Sequence, residues 1–376
     1  MAKRKAKKKQ TRPAAGGQKS ATVASYRRKI DKIDRQIVEL VNDRAALAGE
    51  IGNLKRAAGK EIYSADREQE VIDKAAQQSK GPVSEPCIRA VFREIISGSR
   101  AVEKTHGVAF LGPFHSYSHL AAIYCFGQAV DFLPVGTIGS VFEEVHEGSA
   151  DYGLVPLENT TDGRIADTLE NFTRFPVRIC SEVQLRIHHH LLGRGKRSEV
   201  TEIHSRPQAL SQCRRWLSTH LPNARTIEVT STSAAAQFAA ENPGAAAIAS
   251  LQAGTHYGLK VLAENIEDNH DNITRFAVIG SESAPKTGND KTALMFRLEH
   301  RPGSLADAMA IFKRTRINLS WIESFPLPES GGEYMFFVEL EGHQRGTRIR
   351  RAIESLAKKS VRLEILGSYE RTEPIG

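Results

Sequence analysis

The hydrophobic pattern changes period near Gly107, and that change divides the chain into parts that cannot share one fold. From Thr22 to about Lys104, Ile30, Ile33, Ile37, Leu40, Val41 and Leu47 recur mostly at three- and four-residue steps among Lys, Arg, Asp and Glu, the spacing of an amphipathic helix. Gly59, Gly81-Pro82 and Pro86 punctuate the stretch into one long helix and two shorter ones. Beyond Gly107, short apolar runs (VAFLG, YGLVPL, AAAIAS, RFAVIG) alternate with helical stretches, which predicts an α/β domain with a largely parallel sheet. SAPKTGND, residues 283 to 290, reads as a linker. After it, TALMFRL, a helix over 303–314, INLSWIES, YMFFVEL, a helix over 346–359 and VRLEILGSY spell βαββαβ, a small α+β domain.

A length of 376 residues agrees with several domains. The expected units are a tail over 1–21, an all-α module over 22–105, an α/β domain over 106–283 and the α+β domain over 290–372. The net charge of +8 resides in the tail: residues 1–20 carry eight Lys or Arg and no acid, so the remainder is neutral. A disordered, solvated tail is therefore expected rather than a nucleic-acid arm. No run approaches the ~20 apolar residues of a membrane helix, and the lysine-rich start lacks an apolar stretch after it. A cytoplasmic protein away from membranes is the expectation.

Cys87, Cys125, Cys180 and Cys213 lie far apart without a CxxC spacing, which argues against zinc and against a disulfide framework. Within His188-His189-His190, neighbours on a strand point to opposite faces and cannot ligate one metal together. There is no GxxxxGK and no strand-bound GxGxxG, so no nucleotide cofactor is expected.

Arg27, Arg44 and Lys55 are long-armed cations on the first helix. Arg44 and Lys55, eleven residues apart, share a face about 16 Å along the axis and could converge on a small dianion. Arg27 lies roughly 25 Å from Arg44 on the same helix, so it could join them only from a second subunit. An interlocked helical homodimer or a larger assembly would supply it.

The pattern Arg27…Asp34…Arg44-x-x-x-Ala48…Lys55…Ala65-Asp66-Arg67-Glu68…Ser99…Glu103 resembles the helical mutase module at the front of bifunctional chorismate mutase/prephenate dehydratases. The resemblance implies that Arg27 of a partner chain, Arg44 and Arg67 bind substrate carboxylates. Lys55 and Glu103 would face the breaking ether oxygen, Glu68 would hold the ring hydroxyl, and Ser64 and Ser99 would line the site. A pericyclic rearrangement needs a clamp on the reactive conformer and positive potential at the developing oxygen charge. Glu103 stands where some members carry Gln, so it must be protonated to donate. Burial would raise its pKa and nearby cations would oppose that.

Five further patterns resemble prephenate dehydratase over residues 107 to 280: Gly112-Pro113…Ser116-Tyr117-Ser118, Val155-Pro156-Leu157-Glu158-Asn159-Thr160, Pro207-Gln208-Ala209-Leu210, Asn265-Ile266-Glu267-Asp268 and Asn272-Ile273-Thr274-Arg275-Phe276. The implied fold is the two-lobed α/β architecture of type 2 periplasmic binding proteins, with substrate between the lobes. By the same resemblance Thr274 would donate a proton to the departing hydroxyl of prephenate. Arg275 would contribute to the anionic site or fix the loop. Ser118, Glu158, Asn159, Thr160, Gln208 and Ser231 would line the cleft. Phe114-His115-Ser116-Tyr117 replaces the family's usual Glu-Gly-Thr-Phe, and Arg206 its usual His.

The βαββαβ segment resembles an ACT domain, through Pro302-Gly303-Ser304-Leu305 and Glu323-Ser324-Phe325-Pro326. By that resemblance L-phenylalanine would bind at Gly303, Ser304, Leu305, Glu323 and Ser324 on an inter-subunit face and lower dehydratase activity. Phe325 replaces an Arg. The whole reads as an enzyme converting chorismate to prephenate and on to phenylpyruvate. A non-catalytic sensor of aromatic metabolites, or a dehydratase acting on arogenate, are the alternatives.

Overall fold

The computed structural model of the protein describes residues 22–57, 64–161, 163–327 and 333–375. The tail expected over 1–21 lies outside them. The helical part consists of α1 (Val23–Ala57), α2 (Ala65–Gln78) and α3 (Glu85–Glu103), the last opening with Pro86 in its first turn, where a missing N–H costs nothing. Helix α3 packs against both others. Along α1 only Gly52 is buried, and its apolar stripe stays open, from Ile37 at 51% exposed to Leu54 at 72%. Among the described residues, most of those that periodicity assigns to a core on α1 thus stay uncovered.

Two lobes follow, and the chain crosses between them twice. The first lobe begins with β1 (Gly107–Leu111), α4 (Tyr117–Phe126), β2 (Asp131–Val135), α5 (Ile138–His146), β3 (Tyr152–Asn159), β4 (Gly163–Arg164), α6 (Ala166–Arg174) and β5 (Arg178–Arg186). The second holds β6 (His190–Gly193), β7 (Glu202–Ser205), α7 (Pro207–Gln212), α8 (Arg214–His220), β8 (Arg225–Glu228), α9 (Thr232–Glu241), β9 (Ala245–Ala249), α10 (Leu251–His256) and β10 (Lys260–Ala263). The chain then returns as β11 (Ile273–Gly280), which inserts between β3 and β5 to give the order β2-β1-β3-β11-β5, with β4 paired to β3. The second sheet runs β10-β6-β9-β7-β8.

The sheets are mixed rather than largely parallel. β1 runs parallel to β2 and β3, whereas β11 is antiparallel to β3 and β5. A strand arriving from the other lobe enters in the reverse direction, which local apolar runs cannot reveal.

The third domain contains β12 (Asp290–Leu298), α11 (Ser304–Thr315), β13 (Leu319–Pro326), β14 (Tyr334–Glu341), α12 (Thr347–Ala357) and β15 (Ser360–Glu370), with sheet order β13-β14-β12-β15. This is the expected βαββαβ. Its helices cover one face around Phe312, Val338 and Leu356. The other face merges with the first lobe: Met295, Phe325, Met335 and Phe337 share a cluster with Ala109, Phe142, Leu169 and Ile179. Fully burying such side chains contributes roughly 1.5–3 kcal/mol each, so the two domains hold a joint core. None of the described helices is long and apolar enough to cross a membrane.

Candidate active sites

In the helical module, Arg44 Nη1 donates to Ser99 Oγ at 2.7 Å, and Ser99 Oγ donates to the Ile95 carbonyl at 2.7 Å. Glu103, one turn beyond Ser99, lies against Gly52 of α1, where any Cβ would collide with the carboxyl group. That glycine makes the close approach possible. Glu103 Oε2 is buried without a hydrogen-bond partner among the described residues. Burial raises its carboxyl pKa, against the opposing pull of Lys55, Arg56 and Arg100. Glu68 is raised too, by burial, with Arg100, Lys55 and Arg44 pulling the other way.

Arg44, Lys55, Glu68, Ser99 and Glu103 therefore form one group. Arg67 does not join it, because it is exposed and ion-paired to Glu70 on its own helix. Ser64 turns to Asp66, 2.6 Å away. Arg27 is exposed near the start of α1.

The second group lies where the chain crosses between lobes. Thr274 and Asn159 sit opposite each other on β11 and β3, and Asn159 Nδ2 donates to Thr274 Oγ1 at 2.8 Å. The Thr161 N–H donates to Asn159 Oδ1 at 2.9 Å, which fixes the amide orientation. Because Asn159 supplies the proton in its bond to Thr274, the threonine's own O–H is left to donate elsewhere. Asn159 Nδ2 also reaches Asn272 Oδ1 at 3.0 Å, and Asn272 Nδ2 donates to Gln212 Oε1 at 3.0 Å. Gln212 Oε1 accepts from His189 Nε2 at 2.9 Å. Tyr117 Oη donates to the His188 carbonyl at 2.6 Å and lies 3.0 Å from His189 Nδ1. The network thus joins both lobes to the Thr274 hydroxyl.

Several cleft residues expected from sequence have other employment. Arg275 and Glu158 face away from Thr274, since neighbours alternate across a strand. Arg275 Nη1 meets Glu158 Oε2 at 3.0 Å, and its Nη2 reaches Glu182 at 3.3 Å and Glu339 of β14. Lys291 of β12 lies 2.8 Å from Glu182, the Tyr369 hydroxyl donates to Glu339 at 2.8 Å, and Trp321 lies under the guanidinium at 5.1 Å. Burial alone would depress the Arg275 pKa, but Glu339 and Glu182 more than reverse this and hold it charged. Of the two roles expected for Arg275, holding the structure is the one its geometry supports, and Glu158 belongs to that cluster rather than to the cleft.

Thr160 is occupied in pinning the chain before β11, donating to the Asp271 carbonyl at 3.0 Å and accepting from the Ile273 N–H at 2.9 Å. Ser231 caps α9 through the Ala234 N–H at 2.9 Å. Gln208 is exposed, and Gln212, one turn later on α7, is the residue of that helix that joins the Asn272–His189 network. The four-residue spacing that puts Gln212 on the same helix face as Gln208 was the signal available for it. Ser118 is buried in the first turn of α4.

Two departures from the family pattern, Phe114 and His115, meet the second lobe. His115 of the first lobe, in left-handed conformation at φ 65°, stacks on His256 of the second at 3.7 Å between ring centroids. Ser233 Oγ of α9 donates to the Phe114 carbonyl at 2.8 Å. Of the three consecutive histidines, His188 pairs with Glu267 at 2.8 Å, His189 joins the network above, and His190 accepts from the Asn265 N–H at 3.3 Å.

In the third domain Gly303 takes the left-handed conformation at φ 87° before α11, and Ser304 and Leu305 line a small cavity of ≈ 150 Å³ with Tyr334 and Phe336. Glu323 faces the first lobe instead, while the Ser324 side chain is exposed on the opposite face of β13 and only its carbonyl meets the lobe. Arg164 Nη1 reaches Glu323 Oε2 at 3.2 Å and the Ser324 carbonyl. Phe325 fills the joint core, and Arg164 is a contact that motif reading missed.

Residues 26–104 match the family model of chorismate mutase type II, and residues 108–284 match that of prephenate dehydratase. A bifunctional chorismate mutase/prephenate dehydratase from Aquifex aeolicus is 40% identical over 350 residues, covering 92% of this chain and 97% of its own. The chain belongs to the bifunctional chorismate mutase/prephenate dehydratase family. The Escherichia coli K12 member is 30% identical over 369 residues, covering 92% of this chain and 95% of its own. A solved prephenate dehydratase from Arthrobacter aurescens, in complex with L-Phe, is 33% identical, with TM-score 0.66 over 70% of this chain and 90% of its own. The helical group accordingly lies in a chorismate mutase domain and the Thr274 group in a prephenate dehydratase domain, and the βαββαβ order of the third domain fits an ACT domain.

Proposed function

We propose that the chain rearranges chorismate to prephenate in the Arg44–Lys55–Glu103 group and converts prephenate to phenylpyruvate at Thr274. The observation carrying the second step is the bond from Asn159 to Thr274 Oγ1 at 2.8 Å, which orients the threonine to donate its own proton to the departing ring hydroxyl as CO2 leaves. Thr is a weak acid, but aromatisation drives the step, so a positioned donor in a cleft is sufficient. In the mutase, Arg44 takes a carboxylate while Lys55 and protonated Glu103 face the ether oxygen. No residue needs to form a bond to substrate.

Arg27 completes this reading only in an assembly, while Arg67 would have to leave Glu70, and Ser64 Asp66, to reach the substrate. The uncovered apolar stripe on α1 is the surface that a second copy would bury, carrying its Arg27 toward Arg44. Feedback by L-phenylalanine rests on the Arthrobacter complex and on the ACT-like third domain. The units 22–105, 106–283 and 290–372 would serve as mutase, dehydratase and sensor, in the cytoplasm. Chorismate supplied to the purified protein should yield phenylpyruvate, and to Thr274→Ala only prephenate. Failure of the wild type to consume chorismate would refute the reading.

A further inference from the structure

We propose that Arg100 is a positioning residue of the mutase site and that the dehydratase domain holds it in place, so the mutase site is completed by its neighbour in the chain. The proposal rests on the reading of Glu68 as the ligand of the ring hydroxyl. Arg100, on α3, is 4% exposed. Its Nη1 reaches both Glu68 carboxylate oxygens, at 2.6 and 2.8 Å. Its Nη2 donates to the Phe126 carbonyl at the end of α4, and the guanidinium lies 5.8 Å from the Phe126 ring. One planar group is thereby held from the dehydratase side while it holds a mutase carboxylate.

The surrounding seam has little slack. Glu94 accepts from the Gln128 N–H at 3.0 Å, and Ser97 Oγ accepts from the Ala129 N–H at 3.0 Å. Arg93 lies over the Tyr124 ring at 3.7 Å. A Cβ at Gly127 would come within 2.5 Å of Ser97 Cβ. Arg93, Ser97 and Arg100 recur at helical spacing and dock α3 on α4, while Ser99 and Glu103 face the mutase site. Helix α4 begins at Tyr117 and Ser118, beside the dehydratase network, and ends at Arg100.

The groups facing Glu68 are Arg100 from α3, Lys55 and Arg44 from α1, and Cys125 from α4. Burial pushes the Cys125 thiol up to about 12, so it stays neutral. Burial also raises the Glu68 carboxyl, and Arg100 is the strongest opposing influence. Without Arg100 the carboxylate loses its orientation and takes up a proton at higher pH.

The test compares full-length wild type, Arg100→Leu, Arg100→Lys and Glu68→Gln in chorismate kinetics across pH 5.5–8.5, with prephenate turnover measured on the same preparations. Loss of a buried charged hydrogen bond should lower kcat/KM for chorismate roughly tenfold or more in Arg100→Leu, chiefly through KM. Its acid limb should move to higher pH, Arg100→Lys should restore part of the loss, and prephenate turnover should stay within about twofold. Should Arg100→Leu fail to fold, Arg100→Gln decides in its place, since it keeps a donor for the Phe126 carbonyl but no charge. An unchanged KM and acid limb in the uncharged variant, with Glu68→Gln impaired, overturns the role of Arg100 alone. A Glu68→Gln enzyme equal to wild type overturns the underlying reading of Glu68 as well.

Discussion

Thr274 and Arg275 are chain neighbours with opposite allegiances: one accepts from Asn159 at 2.8 Å at the crossing between lobes, the other is bound to Glu339 of the third domain. Their substitutions should separate accordingly. Thr274→Ala should lower dehydratase kcat by about 10²-fold or more, the scale of a lost general acid, with mutase activity and Tm retained. Arg275→Met should cost about 3–5 kcal/mol of stability, because it leaves buried carboxylates unpaired. Assays of both reactions beside thermal unfolding distinguish the two, and equal Tm losses would contradict the division.

Glu103 must carry a proton to donate to the ether oxygen, and burial raises its pKa. The protonated form is lost as pH rises through that raised value. Mutase activity should therefore fall from mildly acid toward alkaline pH, and Glu103→Gln, a donor at every pH, should flatten the fall. Identical profiles would contradict the role.

Gly52→Ala places a methyl group where the Glu103 carboxyl lies. We expect mutase kcat/KM to drop about tenfold or more as the carboxyl is displaced, with prephenate turnover unaffected. A wild-type chorismate rate in this variant would show that Glu103 is not needed there.

If Arg27 reaches the partner's Arg44 site, then Arg27→Ala and Arg44→Ala each lack mutase activity alone. Mixing and re-forming them should restore about a quarter of it, because a mixed dimer has one intact site and random pairing makes half the dimers mixed. Sedimentation reports the assembly directly. No recovery on proven subunit exchange would place Arg27 outside the site.

Stacking of His115 on His256 across the lobes should make the dehydratase acid-sensitive. Burial first, and His256 second, lower the His115 pKa, so the stacked form is stabilised above the ordinary histidine range and lost as pH falls through the lowered value. His256→Phe keeps a stacking partner without the like charge. It should extend prephenate kcat/KM to lower pH, and an unchanged acid limb would remove the pair from the mechanism.

The helical module and the βαββαβ order were legible in the sequence because each follows from local period and turn residues, whereas the two lobes were legible only through the resemblance of the motifs to prephenate dehydratase. The direction of β11 was not, since it depends on the chain returning from another lobe. At the sites, motif residues were found readily and their facing less well: Thr274 could be separated from Arg275 only once β3 and β5 flanked β11. Arg100, Arg164 and Gln212 escaped because their partners lie 23 or more residues away, at Phe126, Ser324, His189 and Asn272. A sequence read along its own length does not show such pairs.

The joint core has a consequence for how this chain can be divided. By order along the sequence, the dehydratase and the third domain look like separable beads on a linker. Yet Phe325 and Phe337 pack with Phe142 and Ile179, and Glu339 and Lys291 neutralise charges contributed by Glu182 and Arg275. A cut at the linker would leave a raw apolar face and an unbalanced ion cluster on either piece, so these two parts are heritable only together.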